Sequence, residues 1–120
     1  MKREYLEKMF TQSVVWGEVI KADSSLTEET TKSHDLQYVR ISQETNGRTT
    51  DKEGEAHNSM TLTKLYILRN VSVCDDSFKL PELKLGDEIV TATGRTMIVE
   101  DIRTLYGVGG EVHHLEVTLK

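Results

Sequence analysis

The sequence has one cysteine, Cys74, so no disulfide can form within the chain, and a zinc site of the paired-cysteine type is excluded. It has no apolar run near the 18 or so residues that a membrane span needs. Its first ten residues, MKREYLEKMF, carry charge where a secretion signal needs an apolar stretch. One proline and eight glycines do not make a disordered, low-complexity chain. Basic charge is also short: 15 lysines and arginines face 20 acids, a net charge of −5 with the histidines neutral. Both halves share that deficit, with eight basic against eleven acidic residues in 1–60 and seven against nine in 61–120. Nucleic-acid and anionic-membrane binders usually show the opposite balance, so neither partner is expected. The expectation is a soluble protein made in a reducing cytoplasm.

What remains is 120 residues, 37% apolar and 29% charged. That is enough for one domain, 1–120, with a thin core. Only Lys2–Met9 reads as helix, with Tyr5, Met9 and Leu6 towards one side. Residues 1–9 are therefore expected to form a short helix that must dock on something to persist. From Phe10 the pattern turns to strand. In Ser13–Ile20, Val15 and Val19 alternate against Val14, Trp16 and Ile20, which suggests cover on both faces. Residues 21–33 are polar and read as a connection. Leu36–Ser42 alternates again, with Gln37, Val39 and Ile41 opposite Leu36, Tyr38 and Arg40.

Gln43–Met60 is a stretch without a large apolar residue until its end, and the flanks of Asn46-Gly47 do not alternate as a tight hairpin would require. It is expected to be a long inter-strand loop. Strands follow at Leu62–Leu68, Asp87–Ala92, Thr96–Leu105 and Val112–Leu119, punctuated by Pro81, Gly86-Asp87, Gly94 and the glycine-rich 106–110. In the last strand His113, Leu115, Val117 and Leu119 share one face, and His114, Glu116 and Thr118 the other. Six short strands imply a mainly β chain, a small antiparallel barrel or sandwich.

No chemistry-bearing pattern survives inspection. Gly107-x-Gly-Gly lacks the lysine and the following helix of a phosphate loop. Four histidines, His34, His57, His113 and His114, could in principle contribute ligands, but His113 and His114 are adjacent on a strand and point to opposite faces, so no metal is expected. Asp75 and Asp76 follow Cys74 and raise its thiol pKa, which opposes a nucleophilic role. Asp75-Asp76 and Glu100-Asp101 read as solvated charge at strand ends. Trp16, Tyr38, Tyr66 and Tyr106 show no interleaving with basic residues of the type that stacks single-stranded bases. No catalytic residue, metal or cofactor is expected, and a structural or binding role is.

Five segments carry a resemblance: Tyr38–Ile41 (YVRI), Lys64–Ile67 (KLYI), Leu85–Val90 (LGDEIV), Met97–Ile102 (MIVEDI) and His113–Val117 (HHLEV). Their order and spacing over residues 36–119 resemble the minor capsid proteins of tailed phages and prophages of Gram-positive bacteria. These are small head-completion, or stopper, proteins of the head–tail connector. Relatives often begin at the first strand, whereas this chain adds residues 1–9. The resemblance implies a small antiparallel β-barrel, here with the short N-terminal helix and the one long inter-strand loop. It also implies self-association into a ring, typically twelve-fold, below the portal and its adaptor. Such a ring encloses packaged DNA and offers a docking surface for tail proteins. The location implied is the virion, after synthesis in the host cytoplasm.

The loop at 43–60 takes the position of the stopper's channel loop. Its charged and turn residues are Glu44, Asn46, Gly47, Arg48, Asp51, Lys52, Glu53 and Glu55, with a net charge of −2. An acidic loop lets phosphates slide past instead of gripping them. Arg40, His114 and Glu116 are candidate subunit-interface residues, and His114 and Glu116 can also pair locally. Two other readings stay open at this point: a tail-completion or head–tail joining protein, and an SH3- or OB-like binding module.

Overall fold

The computed structural model describes residues 8–20, 30–46 and 60–120. Seven strands follow in chain order: β1 (Gln12–Ile20), β2 (Thr30–Asn46), β3 (Met60–Leu68), β4 (Val73–Cys74), β5 (Glu88–Thr91), β6 (Thr96–Tyr106) and β7 (Val112–Leu119). Every pairing is antiparallel. β1 pairs with β2, β2 with β3, β3 with β7, β7 with β6, β6 with β5, and β5 returns to β1. Six strands thus close a barrel, and β4 adds a short seventh alongside β2. Each of the six strands has a partner on both sides over part of its length, which limits the open edge a small β domain exposes to aggregation.

Alternation fills the interior. Val14 and Trp16 of β1, Leu65 and Ile67 of β3, Met97 and Val99 of β6, and Leu115, Val117 and Leu119 of β7 are all buried in one cluster with Ile89 of β5. A second, smaller cluster lies where the N-terminal segment docks: Phe10 is buried with Leu68 and Val71, with Met9 and Tyr66 against them. Of the helix expected over 1–9, residues 1–7 lie outside the described residues, and the described residues contain no helical element.

β2 departs from strict alternation. Leu36 and Val39, three residues apart and expected on opposite faces, are both fully buried. The cause is a bulge at Tyr38: Ser13 pairs with Gln37 and Gln12 with Val39, so Tyr38 has no β1 partner, and its φ is 57°. The extra residue resets the phase of the strand and sharpens its twist. On the other edge, β2 pairs with β4 at Leu36–Gln37 and with β3 from Arg40 onwards. The bulge therefore lies at the corner between the two.

Ser72 pins that corner. Its buried hydroxyl donates to the Tyr38 carbonyl at 2.6 Å and accepts from the Leu68 amide at 2.9 Å. Ser72→Ala leaves both backbone groups without that partner and is expected to cost about 1–3 kcal/mol in urea unfolding. A loss below about 0.5 kcal/mol would show that the corner holds without the hydroxyl.

Two expected connections are shorter than the sequence suggested. Residues 30–33 of the 21–33 connection are strand, paired with β1 through Ile20↔Thr30 and Gly17↔Ser33. Of the expected loop 43–60, Gln43–Asn46 belongs to β2 and Met60 to β3, paired from Gln43↔Thr63 to Asn46↔Met60. These ends have few apolar residues, so periodicity did not mark them; main-chain pairing alone carries the strands there. At 17 residues β2 extends on the order of 55 Å, and it outruns its neighbours at both ends. β5 stops at Gly17↔Glu88, so Glu18–Ile20 and Thr30–Lys32 pair only with each other among the described residues. β7 stops at Thr63↔Leu119, so Glu44–Asn46 and Met60–Leu62 likewise form a two-stranded ribbon beyond the barrel.

Candidate functional site

At one end of the barrel, where β5 stops and the β1–β2 ribbon begins, several polar side chains converge. β1 supplies Trp16 and Glu18, two apart and therefore on one face. β2 supplies His34, directly opposite Trp16 in the register. The His34 ring stacks on the Trp16 indole with centroids 4.3 Å apart and planes at 25°. Both imidazole nitrogens then meet a carboxylate: Nε2 lies 3.1 Å from Glu18 Oε1, and Nδ1 lies 2.5 Å from Asp75 Oδ2.

Asp75 arrives from a tight turn. Cys74 and Ser77 exchange backbone hydrogen bonds of 2.8 and 3.0 Å around Asp75 and Asp76, whose φ values are 49° and 64°. Two consecutive left-handed residues make a two-residue hairpin turn of the type that usually carries Asn-Gly. Aspartate tolerates that backbone better than most side chains. The turn is locked to β2 because the Asp75 amide donates to the Asp35 carbonyl and the Asp35 amide donates to Asp75 Oδ1, each at 2.9 Å. Gly at position 76 removes the left-handed penalty without touching these bonds, so Asp76→Gly is expected to stabilise the protein by about 0.5–1 kcal/mol. Thermal unfolding checks it, and a destabilised variant would contradict the turn geometry.

The electrostatics follow from the contacts. Asp75, and then Glu18, push the His34 pKa above its ordinary value against the opposing effect of burial. Asp75 is held below its ordinary value by His34 and by the Asp35 amide. Glu18 is lowered by His34 and by the Lys84 ammonium, whose Nζ is 3.5 Å from Oε2. Cys74 borders the same site; burial first and the Asp75 charge second push its thiol up. Its upward shift was legible from Asp75-Asp76, although burial is the larger cause. The set borders an open cleft of about 310 Å³ that Ser77, Leu80 and Pro81 also line.

Next to this cluster lies a second polar device, Asp87, which is 1% exposed. Its carboxylate accepts three N–H bonds: from Trp16 Nε1 at 3.0 Å, the Val19 amide at 3.1 Å and the Lys84 amide at 2.9 Å. Gly86, with φ 93°, makes the turn from Lys84 to Asp87 possible. Main-chain pairing of β1 with β5 ends at Gly17, and the Asp87 side chain takes over from it at Val19.

The residues singled out from sequence lie elsewhere. Glu44 and Asn46 stand on the β2–β3 ribbon, while Gly47, Arg48, Asp51, Lys52, Glu53 and Glu55 lie outside the described residues. Arg40 is on β2 opposite Tyr66, and Glu116 on β7 is opposite Tyr66 from the other side. Glu116 does not pair with His114; its oxygens lie 3.8 Å from both Lys64 Nζ and Arg103 Nη1 on the flanking strands. His114 instead contacts Tyr66 and has its Nδ1 2.8 Å from that of His113, and burial together with His113 lowers its pKa. Glu18, His34 and Asp75 were missed. The one signal available was Cys74-Asp-Asp-Ser77 read as a turn instead of as strand-end charge.

No protein-family model matches the chain, and neither a curated protein nor a solved structure matches it significantly.

Proposed function

We propose that the protein is a structural component of a phage head–tail connector, a barrel that assembles into a ring below the portal and adaptor, closes the DNA channel and receives the tail. The observation that supports this reading is the β2–β3 ribbon. It runs past the end of the barrel with Glu44–Asn46 and Met60–Leu62 paired only to each other among the described residues. A two-stranded ribbon is marginal in water by itself, so a ribbon built this way calls for a partner. It stands where the resemblance places the channel loop. The acidic balance of 43–60 suits a surface that passes DNA without binding it.

The test uses purified protein and DNA-filled, tailless capsids carrying portal and adaptor. Negative-stain images are expected to show added density at the portal vertex alone. Attachment to isolated tails and not to heads would move the protein to the tail side of the joint. Attachment to neither would overturn the connector reading.

A further inference from the structure

We propose that His34, Cys74 and Asp75 form a site for one divalent transition-metal ion of the zinc type, with Glu18 as the outer partner of the histidine. The inference does not rest on the connector reading. One donor atom from each of the three residues lies within 4.8 Å of the other two. They are a nitrogen, a sulfur and an oxygen, and a thiolate with an imidazole selects zinc or cobalt over magnesium or calcium.

Three features of the surroundings fit a metal. Glu18 Oε1 lies 3.1 Å from His34 Nε2 and Asp75 Oδ2 lies 2.5 Å from Nδ1, so Nδ1 is the nitrogen on the Asp75 side and the one assigned as ligand. A carboxylate on the remote nitrogen is the usual outer support of a metal-bound histidine. The Asp35 amide holds Asp75 Oδ1 at 2.9 Å, so Oδ2 is the oxygen turned to the site. Asp75 and Asp76 are both left-handed without being glycine, and backbone held in that state by its surroundings clusters at functional sites.

Access and geometry are also compatible. The cleft of about 310 Å³ borders all three donors and leaves room for a water as fourth ligand. In a tetrahedral zinc site the ligand atoms lie about 3.3–3.8 Å apart, so His34 Nδ1 and Asp75 Oδ2, now 2.5 Å apart, must open by about 1 Å while the widest separation, up to 4.8 Å, closes by about as much. A turn of the Cys74 side chain and a pivot of the Asp75 carboxylate about Oδ1, which stays on the Asp35 amide, would supply both movements. The ion takes the place of the proton between His34 Nδ1 and Asp75 Oδ2 and of the Cys74 thiol proton. Once bound, it ties β1, β2 and β4 together at the base of the β1–β2 ribbon.

The experiment titrates the chelator-stripped full chain with Co²⁺ and then competes with Zn²⁺. One Co²⁺ per chain is expected, with a thiolate-to-cobalt charge-transfer band and visible bands of tetrahedral intensity, both removed by Zn²⁺. The unfolding temperature rises with Zn²⁺, because an ion that binds the folded chain stabilises it. Cys74→Ser loses the charge-transfer band, and Glu18→Ala weakens binding about 10–100-fold. A double replacement, His113→Ala with His114→Ala, changes none of this and guards against a surface histidine site. Cys74→Ser is nearly isosteric and keeps the test decisive if replacements at His34 fail to fold. Absence of saturable binding, a charge-transfer band that survives Cys74→Ser, or binding lost with His113 and His114 would each overturn the proposal.

Discussion

Asp87→Ala is expected to lower the unfolding free energy by about 3–5 kcal/mol, the largest loss of any single polar replacement among the described residues. Three N–H groups converge on that carboxylate, and two come from distant sequence: Trp16 and Val19 are 71 and 68 residues away. Alanine leaves all three donors without their acceptor in a site where the side chain is 1% exposed. Each stranded donor costs about 1–3 kcal/mol, offset where water can reach it. A total stability of about 5–15 kcal/mol is typical, so the variant is expected to sit near its folding threshold. Asp87→Asn keeps one oxygen but turns an NH₂ towards converging donors, and should recover only part of the loss. Urea unfolding decides it: a loss under about 1 kcal/mol for Asp87→Ala would show that β1 is held by its ladders alone.

Cutting back the β2–β3 ribbon is expected to separate folding from assembly. Gln43 and Thr63 face each other in the ladder, so residues 44–62 can be replaced by Asn-Gly as a two-residue hairpin turn. Leu62, the one removed residue whose burial is described, lies outside the buried core. The shorter connection also lowers the entropy of closing the hairpin. The truncated barrel should therefore unfold with a free energy equal to or slightly above that of the full chain. Under the connector reading it should fail completely to hold DNA in filled heads. A barrel that unfolds without the ribbon would mean the ribbon is part of the core structure and not an assembly arm.

Most of the barrel was legible in the sequence, because alternation marks every strand whose inner face is apolar. β7 was bounded correctly at Val112–Leu119, and β6 and β1 within one residue. Gly86 and Gly94 turn where expected, with φ values of 93° and 87°. The misses share a cause. Residues 30–33 and 43–46 are strand through main-chain pairing while their side chains are polar, so no hydrophobic period reveals them. Tyr38 shifts the phase of β2, and a bulge leaves no trace in composition. The Glu18–His34–Asp75 cluster joins residues 16 and 41 positions apart, a distance that only the closed barrel brings together. Asp87 was visible as half of a Gly-Asp turn, but its three donors were not.

In the connector proposal a ring of these barrels closes the channel with the β2–β3 ribbons. The most direct measurement is DNA release from filled, tailless capsids bearing portal and adaptor, incubated with the full chain or with the chain lacking residues 44–62. The full chain is expected to hold the DNA in, and the truncated chain, folded and still bound at the vertex, to let it out. Equal retention by the two would contradict it.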